Sequence, residues 1–152
     1  VQVPAVKRAG AHVLAWLVPK FTMANEIDYK DLTHDQAVIA EYEKDTLRHD
    51  RTSSVLYLEM VKAMSDVFAR APKIQLPSIV QQAGADVIVS PEATRKLFPL
   101  LGSPDKTWYE YDGFKHEIFN ETERARVFKD LKTWLARWTQ PSKSRTTAEH
   151  VR

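Results

Sequence analysis

The chain has 152 residues, a formal net charge of +2, 43% hydrophobic and 28% charged residues, which suits one globular domain with its own core. That near-neutral balance, with no basic stripe interleaved with aromatics, argues against a nucleic-acid partner. The lack of cysteine excludes disulfides and thiolate chemistry, and four scattered glycines leave no Gly-rich loop to cradle a phosphate.

Residues 5–18 carry Val6, Ala9, Val13, Leu14 and Leu17 at helical spacing, and Pro19 ends the helix. Gly10 weakens it by about 1 kcal/mol relative to alanine. Its cluster Val13, Leu14, Trp16, Leu17 and Val18, with Lys7, Arg8 and Lys20 near the ends, suits either packing on a sheet or another chain, or contact with a membrane surface. The following FTMANEIDYKDL has no sustained period and reads as loop. Thr33-x-x-Gln36 has the form of a capping box, opening a helix to about Glu43. KDTLRHDRT reads as a turn. A third helix, about Ser53 to Ala71, presents Leu58, Val61, Met64, Phe68 and Ala71 on one stripe. The first half is therefore expected to be three helices with no strand.

The pattern then changes. Residues 74–82 read as extended, with Pro77 at a strand start or an unpaired position. Ser90, Pro91 and Gly102 carry the marks of an N-cap, a first helical residue and a C′ residue, around a helix burying Ala93, Leu97 and Leu100 or Leu101. A second strand, Thr107 to Tyr111, follows. Glu121 and Glu123 fit the first turn of a terminal helix with the stripe Ala125, Phe128, Leu131, Leu135 and Trp138. Trp134 and Trp138 read as packing residues, and the polar stretch from Gln140 as a disordered tail.

Two polar residues stand out. Asp86 ends an apolar, strand-like run, and His116 follows the second strand across the turn Asp112-Gly113. Loops that leave the same edge of a parallel sheet bring such residues together across a long sequence gap. An Asp at a strand end is commonly only a turn residue, and a lone histidine only a satisfied loop residue. Together they are two-thirds of a hydrolytic triad. Glu117 beside His116 does not make a metal site, because no second histidine stands at i+4. His12, His34, His49 and His150 lack comparable neighbours and read as surface or cap residues. No motif calls for a cofactor or a metal. Two strands alone cannot bury both faces and edges of a sheet, so the chain reads as part of a larger one.

The phrases GADVIV, SPDKTWYEYDG and HEIFNE, followed by a helix ending in TWL, resemble the C-terminal part of an α/β-hydrolase of the monoacylglycerol lipase and lysophospholipase group, which is grouped with serine aminopeptidases. LVPKFTMANEID and YEKDTLRHDRTSS resemble that family's helical cap. The resemblance implies an α/β fold: a cap segment over residues 1–72, a strand-helix-strand-helix core portion with parallel strands over 73–139, and a tail over 140–152. It implies Asp86 and His116 as the acid and base of a Ser-Asp-His triad, and a lipid ester as substrate. None of the serines stands in G-x-S-x-G, and no H-G-type oxyanion loop is present. The expectation is a C-terminal portion, inert alone, of a serine ester hydrolase. The competing expectation is a non-catalytic module that self-associates into a homo-oligomer. Gln81 and Gln82 stand where the family has apolar residues, and Ala83 where it has glycine. No apolar run approaches the roughly 20 residues of a membrane span, no signal-peptide pattern opens the sequence, and a cytoplasmic location is expected.

Overall fold

A computed structural model describes residues 5–139; the N-terminal VQVP and the expected tail from Gln140 lie outside them. The first half contains three helices, α1 (Ala5–Leu17), α2 (Gln36–Lys44) and α3 (Ser54–Arg70), with α1 packed along α3. The Ser53 side chain caps α3 by accepting from the Leu56 N–H at 3.1 Å. The expectation of no strand here is corrected. β1 (Thr22–Ala24) and β2 (Arg51–Ser53) pair antiparallel, Met23 opposite Thr52. Three-residue strands are too short to show a period of two. Their pairing is reinforced by the Arg51 side chain, which donates to the carbonyl and hydroxyl oxygens of Thr22.

The cap of α2 also differs from expectation. Asp35 is the capping residue, accepting from the Ala37 N–H at 3.0 Å. Thr33 is fully buried, and its hydroxyl donates to Asn120 O at 2.8 Å, 87 residues away. A long-range partner has taken the side chain that a local capping box would use.

The second half is a strand-helix-strand-helix unit: β3 (Ser78–Ala83), α4 (Pro91–Leu97), β4 (Lys106–Tyr111) and α5 (Arg124–Thr139). β3 and β4 pair in parallel, from Ser78 beside Lys106 to Ala83 beside Tyr111. Ser90 caps α4, accepting from the Ala93 N–H, and Pro91 opens it. A single 3₁₀ turn, Phe98–Leu100, ends this helical stretch, because Pro99 disfavours continuation at the residue before it. Leu101 is buried and Leu100 is not.

Gly102 is not a left-handed C′ residue; among the described residues only Glu26 and Gly113 have positive φ. It is needed for close approach, since a Cβ there would lie 2.0 Å from Pro72 O.

The core groups Ala83, Tyr111, Phe114, Ile118 and Val127. Tyr111 and Phe114 stack with centroids 5.3 Å apart. Gln81 enters this core without penalty: its side-chain amide donates to Tyr111 Oη at 2.7 Å and to Val127 O at 3.0 Å. Tyr111 Oη in turn donates to Asp130 at 3.0 Å. The buried face of α5 is rotated from expectation. Val127 is fully enclosed, whereas Phe128, Leu135 and Trp138 are 41%, 42% and 54% exposed. The two-stranded sheet offers α5 a narrow contact strip, and the rest of its apolar stripe stays uncovered. Trp134 is half-buried with Trp138 against it, centroids 6.3 Å apart. Among the described residues, no helix is long and apolar enough to cross a membrane.

Candidate active site

Both strands hand their chains to loops at the same edge of the sheet, and backbone bonds continue the parallel register past the strand ends. Gly84 N–H donates to Tyr111 O at 2.8 Å, and Ala85 N–H to Phe114 O at 2.9 Å. The turn Tyr111–Phe114 closes with a 3.2 Å bond and needs a positive φ at its third residue, which Gly113 supplies at 74°. The next residue on the first loop is Asp86; two residues past the turn on the second is His116.

His116 Nδ1 lies 2.8 Å from Asp86 Oδ2. The Asp86 side chain is 5% exposed and that of His116 is 34% exposed. Asp86 Oδ1 accepts from the N–H groups of Ile88 and Val89, each at 2.9 Å, so its own loop holds the carboxylate from the other side. A carboxylate accepting at this distance pairs with a hydrogen on Nδ1, the tautomer in which a neutral imidazole keeps Nε2 as an acceptor. Asp86 and His116 both line a cavity of about 420 Å³, with Gln82, Val89, Glu117 and Phe119 among its walls.

Three further groups stand around His116: Glu117 with its donors, Arg48 and Glu121. Glu117 accepts from the Tyr42 hydroxyl on α2 and from the Asn120 side-chain amide at 2.7 Å. Burial, and then this bond to Glu117, hold the Tyr42 hydroxyl above its ordinary pKa. Arg48 lies 3.6 Å from the Tyr42 ring centroid and 3.9 Å from Glu117 Oε1.

The third group is Glu121, expected as a charge in the first turn of the terminal helix. Instead it precedes α5 and is 1% exposed. Its carboxylate accepts from Lys115 N–H at 2.8 Å and His34 N–H at 3.1 Å, with His34 Nδ1 at 2.9 Å. Burial alone would raise its pKa. The Lys115 and His34 N–H groups, with the His34 ring, outweigh that and hold it below the usual carboxylate value. His34 is thus a specific partner rather than a bare surface residue. Only the spacing H-x-x-x-x-E from His116 to Glu121 was visible in the sequence; a partner 87 residues upstream was not. Among the described residues, no three His, Asp or Glu side chains group to hold a metal ion.

The family model for serine aminopeptidase, S33, matches residues 1–123. Phospholipase YtpA of Bacillus subtilis is 31% identical over 121 residues, covering 79% of this chain and 46% of that protein. A monoacylglycerol lipase of Mycolicibacterium smegmatis is 27% identical over 84% of this chain and 45% of its own length. An abhydrolase domain-containing protein of Dictyostelium discoideum is 25% identical over 99% of this chain but only 16% of itself. The chain thus spans less than half the length of these curated relatives. The crystal structure of the Paleococcus ferrophilus monoacylglycerol lipase superposes with a TM-score of 0.80 at 32% identity, over 90% of this chain and 53% of that one. A soluble variant of the Saccharomyces cerevisiae monoglyceride lipase, solved with a substrate analogue, gives 0.74 at 25% identity, over 89% and 50%. The parallel β3–β4 pair and its flanking helices are a part of the fold these structures share, and the chain belongs to the serine aminopeptidase S33 family of α/β-hydrolases.

Proposed function

We propose that this chain supplies the acid and the base of a Ser-Asp-His triad in a serine ester hydrolase acting on monoacylglycerols or lysophospholipids, with the serine elsewhere in the full-length polypeptide. The observation that carries this reading is the 2.8 Å contact between His116 Nδ1 and a nearly buried Asp86, both facing a cavity. Asp86 fixes the tautomer and orientation of His116. His116 Nε2 accepts the serine proton as the hydroxyl attacks the ester carbonyl. It then returns that proton to the departing glycerol or glycerophosphodiester oxygen. Water repeats the cycle on the acyl-enzyme. The substrate class rests on the lipases and the phospholipase among the relatives and neighbours.

Residues 1–72 act as a cap on this reading, and residues 73–139 as the C-terminal core portion. The cap bounds the acyl chain with apolar side chains left uncovered on α1 and α3, such as Trp16, Leu17, Met60 and Met64. On this reading the open edges of the two-stranded β3–β4 sheet pair with further core strands of the same polypeptide. A second copy of the chain is the competing cover. Light scattering of the full-length protein separates the two, a monomer favouring the first.

The coding sequence upstream of Val1 should contain an in-frame G-x-S-x-G. Hydrolysis of a monoacylglycerol and a lysophosphatidylcholine by the full-length protein should be lost on His116→Ala. It should fall on the order of 10⁴-fold in kcat on Asp86→Asn, as in other triad hydrolases. Turnover of a short p-nitrophenyl ester by the 152-residue chain alone, abolished by His116→Ala, would refute the placement of the nucleophile outside it.

A further inference from the structure

The residues on both sides of His116 are held through their backbone N–H groups, one by a carboxylate six residues on and one by a carbonyl of the first half. Lys115 N–H, immediately before it, donates to Glu121 Oε1 at 2.8 Å. Glu117 N–H, immediately after it, donates to Leu32 O at 2.8 Å. The same Glu121 carboxylate accepts from His34 N–H at 3.1 Å and Thr122 N–H at 3.3 Å, and His34 Nδ1 lies 2.9 Å from it. Beside it, Thr33 Oγ1 donates to Asn120 O at 2.8 Å, and the Lys115 ammonium donates to Lys30 O at 2.6 Å. A single buried carboxylate therefore stands where the histidine loop meets the segment leading into α2.

We propose that Glu121 is a positioning residue for His116, and that it makes the placement of the base depend on the seating of residues 30–35 of the first half. The inference rests on the reading of His116 as general base. Every partner of the Glu121 carboxylate is an N–H donor or a ring nitrogen able to donate, so the site is built for an anion with four acceptor positions. Glutamine matches its shape but turns an NH₂ toward N–H donors and leaves at least one of them unpaired. With the Lys115 bond weakened, the chain before His116 loses its anchor. Its ring is then no longer held at the distance from Asp86 that fixes the tautomer. Surface ion pairs such as Lys96–Glu92 have no such reach, because neither partner touches the loop.

The test uses the full-length protein with ¹⁵N-labelled histidine. The wild type should give a low-field, slowly exchanging Nδ1–H signal from His116, absent in Asp86→Asn. Glu121→Gln, at a temperature where circular dichroism shows it fully folded, should broaden or lose that signal. It should also lower kcat by about 10- to 100-fold while KM stays within about twofold, as a displacement near 1 Å would. An unchanged signal with kcat within about twofold of wild type overturns the proposal. Should Glu121→Gln lack a cooperative thermal transition, Glu121→Asp carries the test. It keeps the anion but draws the carboxylate one methylene back from the Lys115 and His34 N–H groups, so the signal must broaden and kcat must fall. An unchanged signal again overturns the inference. If His116→Ala itself leaves hydrolysis intact, the general-base reading fails, while the Nδ1–H signal still judges the role of Glu121.

Discussion

Replacing Gly102 with alanine sets the chain's tightest glycine contact against its loosest. A Cβ at position 102 would lie 2.0 Å from Pro72 O and 2.8 Å from Pro72 C, both backbone atoms. The Gln75 side-chain amide, 2.4 Å away, can swing aside, but the backbone cannot. Reaching ordinary contact requires the two chain segments to part by more than 1 Å. That separation breaks the 3.1 Å bond from Gly102 N–H to Ala71 O, beside a fully buried Ala71. Overpacking costs about 1–3 kcal/mol and the lost bond about 0.5–1.5 kcal/mol, for a total of about 2–4 kcal/mol. In a chain of this size, that lowers Tm by about 5–15 °C. Gly10→Ala is the internal control, because nothing lies within 4 Å of its Cβ and the residue sits inside α1. It should stabilise by up to about 1 kcal/mol. Gly102→Asn separates close approach from a left-handed cap. Asparagine is tolerated in the left-handed region, but it should cost more than alanine here, where space is lacking. Thermal and urea unfolding followed by circular dichroism reads all three. A Gly102→Ala protein as stable as the wild type, or an asparagine variant more stable than the alanine one, would refute the reasoning.

Val127→Ala removes two methyl groups from a fully enclosed site, and should cost about 2–3 kcal/mol of unfolding free energy by urea titration. Tyr111 is pushed up to about 12 by burial, with the Asp130 carboxylate adding to it against the opposing bond from Gln81. Ultraviolet titration should therefore show one phenol ionising well above the ordinary 10 and missing in Tyr111→Phe. Because this folded pKa is raised, the stability it contributes is present below pH 10 and fades as pH climbs toward 12. Glu121 has the opposite sign. Its folded pKa lies below the usual 4.5, so its contribution is full above that pH and drains away as acid protonates the carboxylate. The wild type should lose stability below about pH 4.5 more steeply than Glu121→Gln, and parallel acid limbs would contradict this.

The fold was legible in the sequence where local rules act alone. Ser90 is a capping residue because a hydroxyl before a helical run has few other uses. β3 and β4 follow from their apolar and aromatic runs, although β3 starts at Ser78 rather than at residue 74. The closeness of Asp86 and His116 follows from parallel pairing, since each stands just past a strand end on the same edge. Where a remote partner competes for a side chain, local rules misplace it. Thr33 spends its hydroxyl on Asn120, so the cap moves to Asp35. Glu121 fits a first-turn charge by pattern alone, yet it is buried because two backbone donors far apart in the chain converge on it. Gly102 carries the mark of a helix end, and only the third dimension reveals the backbone against it. The α5 stripe was read one face off, because periodicity gives the apolar arc of a helix but not which part of that arc a narrow sheet can cover.

The contacts that hold the histidine loop differ in the length of chain they close. The contact with Asp86 spans 30 residues that include α4 and β4, whereas that between Glu121 and His34 spans 87. The longer loop costs about 1 kcal/mol more in closure entropy, before the first half has ordered at all. Asp86 and His116 can thus meet once the parallel strands pair. The bonds from the histidine loop and Glu121 to residues 30–35 need the first half in place and close the longer loop, so of the tethers around His116 they carry the larger entropic cost.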